Sequence, residues 1–137
     1  MKYFIDTNII IDLLHNNGEG KETLKAIIEE ENSELFINRL VLTECLRTIP
    51  SVSTNIFDKA KIVLERFQKL DITPDIYNKT IEFSRFFKTV KHQSLKGKCE
   101  AIDLLHFITA KHYGLEIISN DKDFDKLEKA YIEFASD

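Results

Sequence analysis

Tyr3-Phe4-Ile5-Asp6-Thr7-Asn8-Ile9-Ile10-Ile11-Asp12 sets three apolar residues directly before a carboxylate, two small polar residues after it, and then a longer apolar run. The pattern predicts a buried strand over residues 2–6 that stops at Asp6. A helix then begins at Ile9, capped by Thr7 or Asn8. Asp6 thereby stands at the carboxyl end of a strand, with the positive end of a helix beside it. In open α/β sheets that edge is where ligands bind. The plainer reading makes Asp6 only a helix-capping acid. The stretch alone does not separate the two readings; three carboxylates further along bear on the choice.

Working outward, strands and helices alternate. The first helix ends at Asn16-Asn17-Gly18, and a second covers 20–31 with Leu24, Ile27 and Ile28 on one face. Glu34–Asn38 reads as a strand. The helix after it carries Leu40, Val41, Glu44, Cys45 and Arg47 and stops before Pro50. Residues 55–70 repeat apolar groups at helical spacing (Ile56, Ala60, Val63, Leu64, Phe67). Leu70-Asp71-Ile72 reads as a short strand. Thr73-Pro74 is a cap followed by proline at the first helical position, opening a helix over 75–90. Gln93 to Gly97 reads as a loop. The helix over 99–113 is apolar almost all round and is ended by Gly114, which places it at the centre of the fold. Glu116–Ser119 is a strand, Asn120-Asp121 a turn, 123–129 a short helix and 131–134 a last edge strand. Such alternation predicts an α/β fold of three layers, α/β/α, around a mostly parallel sheet of four to five strands. No repeat or linker divides residues 1–137, so a single domain is expected.

Composition narrows the class. At 137 residues, 43% hydrophobic with 10 Phe, the chain can bury a proper core. Its net charge of −4 gives no global attraction to nucleic acid or anionic membrane. A polyanionic partner must then be held by a local basic patch or through metal ions. Cys45 and Cys99, the two cysteines, are too few to staple a domain, and fit inert thiols in a reducing compartment. There is no signal-peptide pattern, and no apolar stretch approaches the ~20 residues of a membrane helix. A cytoplasmic protein without a membrane partner is expected.

Four acids occupy parallel places in this pattern. Asp6 ends the first strand, Glu44 lies in the helix after the second, Asp103 lies in the apolar helix, and Asp121 follows the next strand. Carboxylates gathered without counter-charge repel one another. Mg2+ or Mn2+ resolves that repulsion with hard oxygen ligands, and can activate water against a phosphodiester. Asp103 is the most telling, because a carboxylate in an apolar helix is costly unless paired or metal-bound; its plainer reading points it at a helix end or at Lys98. Glu44 could simply pair with Arg47 at i+3. Other chemistries lack their parts. No Gly-rich phosphate loop is present. The acid-x-x-His of Asp103 and His106 has no second copy, as a di-iron bundle would need, so His106 reads as a histidine at the core's edge.

Asp6-Thr7-Asn8, Thr43-Glu44, Ala101-Ile102-Asp103 and Ser119-Asn120-Asp121-Lys122-Asp123-Phe124, in that order, resemble the PIN-domain ribonucleases, most of all the small VapC-type toxins of toxin–antitoxin pairs. The resemblance spans essentially the whole chain. It implies that Asp6, Glu44, Asp103 and Asp121 are the catalytic, metal-binding acids, with Asp123 able to share or take over the place of Asp121. It implies that Thr7 and Ser119 support them by hydrogen bonds, and Asn8 stands among the supporting residues. It also implies a metal-dependent endoribonuclease, a homodimer, and a small antitoxin partner. The competing expectation is a non-catalytic PIN-like module that binds RNA or protein.

One basic feature remains. No acid falls between Glu82 and Glu100, while Arg85, Lys88, Lys91, Lys96 and Lys98 are positive. This run either leads an RNA backbone towards Asp103, with Lys96 and Lys98 as the RNA-binding residues, or is a solvated helix end. Replacing Lys96 and Lys98 by Ala separates the two. An RNA-binding run then binds more weakly, and its log–log salt slope flattens by about 0.7 for each phosphate of a single strand that is no longer neutralised. An unchanged slope makes it a solvated end.

Overall fold

Continuous burial marks the first strand. Tyr3, Phe4 and Ile5 are all buried, as in a parallel strand covered on both faces. The structure, a computed structural model, describes residues 1–15, 18–87 and 101–136. Its elements in chain order are β1 (Lys2–Ile5), α1 (Thr7–Leu14), α2 (Gly18–Ile28), β2 (Glu34–Asn38), α3 (Arg39–Leu46), α4 (Thr54–Glu65), β3 (Gln68–Leu70), α5 (Pro74–Phe87), α6 (Ala101–His112), β4 (Glu116–Ile118) and α7 (Asp123–Ala135). They fall into two compact units, Met1–Asp71 with Glu116–Asn120, and Ile72–Leu115 with Asp121–Asp137.

The first unit is built on a sheet of order β3-β2-β1-β4, four strands among the described residues, every pairing parallel. From β1 the chain steps outward through β2 to β3, and β4 closes on the other side of β1. The order therefore reverses between β1 and β4, the topological switch point of such sheets. Ile5 pairs with Ile118, and the Asp6 N–H extends the ladder to the Ile118 carbonyl at 2.9 Å. Asn38 ends β2 fully buried, and its side chain caps α3 by accepting from the Val41 N–H at 2.9 Å. Val41 and Cys45 in α3, and Ala60 and Leu64 in α4, are buried pairs at i, i+4.

Ile28, on the apolar face of α2, and Ile56, in the apolar repeat of α4, are 56% and 59% exposed. Both line an open apolar cavity of about 780 Å³, together with Leu13, Leu14, Leu35 and Val63. The strand expected at 70–72 is Gln68–Leu70, because α4 stops at Glu65 and leaves Phe67 to bury itself outside the helix.

The second unit is helical. Ile76 and Phe83 of α5 are fully buried, and α6 is buried continuously from Leu104 to Ala110. His106 lies inside that run, 1% exposed, rather than at the core's edge. Phe83 stacks on Phe107 at 5.7 Å, and Tyr131 meets both rings edge-on. Lys111 lies 5.3 Å from the centre of the Phe107 ring and pairs with Glu128 at 2.6 Å. Gly114 ends α6 at φ +68°, while the Leu115 N–H reaches back to the Ala110 carbonyl at 2.8 Å. Glycine adopts that conformation without strain. Among the described residues no helix is long and apolar enough to cross a membrane.

The expected short helix and edge strand after Asp121 are instead one helix, α7, running to Ala135. Tyr131-Ile132-Glu133-Phe134 alternates like a strand, but Phe124, Leu127 and Ala130 bury one helical face that Tyr131 and Phe134 extend into the aromatic cluster. Ile132, on the opposite face, is 67% exposed. Ile132→Ala should change stability by less than about 0.5 kcal/mol. Ile132→Pro should cost about 3 kcal/mol, the penalty of proline inside a helix. Denaturant unfolding of the two variants measures this, and an edge strand would tolerate the proline.

Candidate functional site

The end of β1 carries the first acid. Asp6 is 4% exposed, so its carboxylate is stable there only if its oxygens are hydrogen-bonded. Oδ1 accepts from the Thr7 N–H at 2.9 Å, and Oδ2 accepts from the Ser119 hydroxyl at 2.8 Å. Asp6 is itself the N-cap of α1, which begins at Thr7. The expected cap, Thr7 or Asn8, is displaced because the carboxylate one residue earlier is the stronger acceptor for the helix's first N–H. Capping accounts for only one oxygen of Asp6; the other faces the residue after β4.

Thr7 carries the network onward. Its hydroxyl donates to Glu44 Oε1 at 2.9 Å, so one residue bonds Asp6 through its backbone and Glu44 through its side chain. Glu44 is half-buried in α3. The next residue, Cys45, responds to both acids. Burial first, then the charges of Glu44 and Asp6, push its thiol up to about 12. A thiol so placed stays protonated at neutral pH and is inert, as its sequence context suggests. Cys99 lies outside the described residues.

Asn8 and Ser119 complete this side. The Asn8 amide donates to Ser119 Oγ at 3.2 Å, and its carbonyl oxygen accepts from the Asn120 N–H at 3.3 Å. Asn120 also donates its side-chain amide to Asp12. Asp12 and Asn120 escape the sequence reading. The signal for Asp12 was its spacing of four from Asn8, which puts both on one face of α1.

Asp103, Asp121 and Asp123 belong to the second unit. Asp103 is half-buried in the first turn of α6. Asp121 precedes α7, and its Oδ1 accepts from the Asp123 N–H at 2.9 Å. Asp123 stands 3.9 Å from Lys126. Three of the four expected acids thus stand at helix N-termini, where the helix dipole and unpaired N–H groups favour negative charge. Lys96 and Lys98 lie outside the described residues.

All four acids offer hard carboxylate oxygens, which suit Mg2+ or Mn2+ and disfavour soft metals. Among the described residues no three His, Cys, Asp or Glu side chains form a group that would hold a metal ion. What the first unit holds is a pair, Asp6 and Glu44, tied through Thr7.

The fold agrees with that of known proteins. No curated protein matches the chain in sequence. Solved structures share its fold, among them three with a TM-score of 0.66 each. VapBC2 of Rickettsia felis, bound to a DNA fragment from its promoter, is 20% identical, and the match covers 92% of each chain. A toxin–antitoxin complex from Klebsiella pneumoniae is 22% identical over 89% of each chain. Mycobacterium tuberculosis VapC20, a toxin that cleaves the sarcin–ricin loop, is 15% identical over 91% of this chain and 94% of that one. These likenesses bear out the three-layer α/β/α architecture expected from the alternation of elements. The PIN-domain family model matches residues 3–130, from within β1 to within α7, and the chain accordingly belongs to the PIN-domain family.

Proposed function

We propose that this PIN domain is a metal-dependent endoribonuclease, the toxin of a type II toxin–antitoxin pair acting in the cytoplasm. The observation that carries the reading is the Asp6 carboxylate, buried at the switch point of a parallel sheet, bonded on both oxygens and tied through Thr7 to Glu44. The residues that would hold Mg2+ or Mn2+ are Asp6, Glu44, Asp103 and Asp121. Bound there, the ion would supply an activated water and charge stabilisation for hydrolysis of an RNA phosphodiester.

The chain's own residues prepare this chemistry. Thr7 and Ser119 fix the orientation of Asp6 and Glu44 before any ligand arrives, so little reorganisation is left for binding. Asn8 fixes Ser119. For the fourth acid, the environment favours Asp121 over Asp123. The Asp121 carboxylate is oriented by the Asp123 backbone N–H at 2.9 Å, just ahead of the N-terminus of α7. Lys96 and Lys98 would guide the RNA backbone.

Two of the structural relatives are toxin–antitoxin complexes, which supports a small antitoxin partner. The apolar cavity with exposed Ile28 and Ile56 supports a protein partner as well, because contiguous apolar surface of this kind is usually covered. A homodimer is part of the same reading. The second reading is a non-catalytic PIN-like module that binds RNA or protein.

Asp103→Asn separates the readings. Asn keeps the shape and removes the charge. Its loss at the first turn of α6 should change the stability of the metal-free protein by less than about 1 kcal/mol. RNA cleavage in Mn2+ by protein shown to be folded should fall by more than the roughly 10–100-fold typical of losing a residue that only orients a metal ligand. Melting in EDTA and single-turnover cleavage in Mn2+ measure the two effects. A destabilised variant that still cleaves removes Asp103 from the site.

A further inference from the structure

The hydrogen bonds that fix Asp6 continue past Ser119 to α2. Asp12 Oδ2 accepts from the Asn120 side-chain amide at 2.9 Å and from the Gly20 N–H at 3.2 Å. Gly20 is buried, and a Cβ there would lie 2.5 Å from the same Oδ2. Only glycine lets the α2 backbone approach the carboxylate this closely. Asn120, held by its side chain, turns its backbone N–H to the Asn8 carbonyl oxygen at 3.3 Å. An N–H can only donate, so it fixes which end of the Asn8 amide faces which way. The amide nitrogen must then point to Ser119, where it donates to Oγ at 3.2 Å. With Oγ accepting from Asn8, the single hydroxyl proton of Ser119 is directed to Asp6 Oδ2 at 2.8 Å.

We propose that Asp12 and Asn120 are positioning residues for the reaction: through Asn8 they set the direction of the hydrogen-bond chain that aims the Ser119 proton at Asp6. The part that concerns catalysis rests on the nuclease reading of Asp6; the polarity of the chain does not. Neither residue need touch RNA or metal. The role of Asp12 is that of an acceptor, not of a charge, because a single oxygen takes both bonds. The amide oxygen of Asp12→Asn can take the same two.

The competing role is purely structural. The Gly20 N–H lies in the first turn of α2, so Asp12 could act only as a cap for that helix. Proton exchange at the Asn8 side-chain amide, read by NMR on the 15N-labelled full chain in EDTA, separates the two. Asn120→Ala leaves the bond between Asp12 and Gly20 in place and changes an exposed residue, so the fold is not at stake. It should speed Asn8 exchange roughly tenfold or more, the factor that one hydrogen bond to a charged group is worth. Asp12→Ala should do the same, and Asp12→Asn should retain slow exchange. Unchanged Asn8 exchange in Asn120→Ala overturns the proposal, as does exchange in Asp12→Asn as fast as in Asp12→Ala.

The second arm is single-turnover RNA cleavage in Mn2+. Asn120→Ala should lower the cleavage rate about tenfold at saturating RNA, within the range seen when a residue that orients a metal ligand is removed. Faster exchange with undiminished cleavage overturns the positioning role. A parent protein that cleaves no RNA sinks the nuclease reading, and with it the catalytic part of the proposal. The exchange results then still decide the polarity of the chain.

Discussion

The buried carboxylate of Asp6 is the constraint on which the rest of this site depends. A carboxylate almost out of reach of water is stable only when its oxygens are hydrogen-bonded. Here the two principal donors come from different parts of the chain, the Thr7 N–H at the start of α1 and the Ser119 hydroxyl just past β4. Meeting that requirement holds β1 and β4 in register at their carboxyl ends, where Ile5 pairs with Ile118. It also starts α1 immediately at the end of the strand. Thr7 then commits its own side chain to Glu44, which ties α3 to the same point.

The same logic explains how these acids are tolerated before any cation binds. Asp6 caps α1, Asp103 lies in the first turn of α6, and Asp121 accepts from the N–H of Asp123 at the start of α7. Each of these carboxylates therefore has a local electrostatic reason to be where it is. Binding a cation would be a second use of groups already stabilised. It needs only lone pairs that hydrogen bonding leaves over, and each carboxylate oxygen has two. Burial first, and then the negative charges of Glu44 and Asp6, push the neighbouring Cys45 thiol up to about 12.

Much of this was legible in the residues themselves. The apolar run before Asp6, the bounds of β2, the proline that opens α5 and the glycine that ends α6 all coincide with observed elements, because each is a local signal. Errors arose where the decisive contact is distant. Tyr131-Ile132-Glu133-Phe134 reads as a strand until Phe83 and Phe107 make its aromatic residues part of a helical face. Ile28 and Ile56 fit the apolar periodicity of their helices, which does not tell a packed face from the wall of an open cavity. In the site, the acids and their hydroxyl neighbours stand out by residue type. Asp12 and Asn120 do not, because their role comes from Gly20, Asn8 and Ser119 meeting them across the first unit.

The central claim, that Asp6 and Glu44 form the fixed part of a divalent-metal site, is tested most directly by titrating Mn2+ into 15N-labelled, folded protein and following paramagnetic broadening residue by residue. A Mn2+ ion held there should broaden the backbone amide signals of Thr7, Cys45 and Asn120 at the lowest metal concentrations, and Asp6→Asn should abolish that selectivity. Broadening spread evenly over the chain, or centred on residues away from Asp6 and unaffected by Asp6→Asn, would contradict the account.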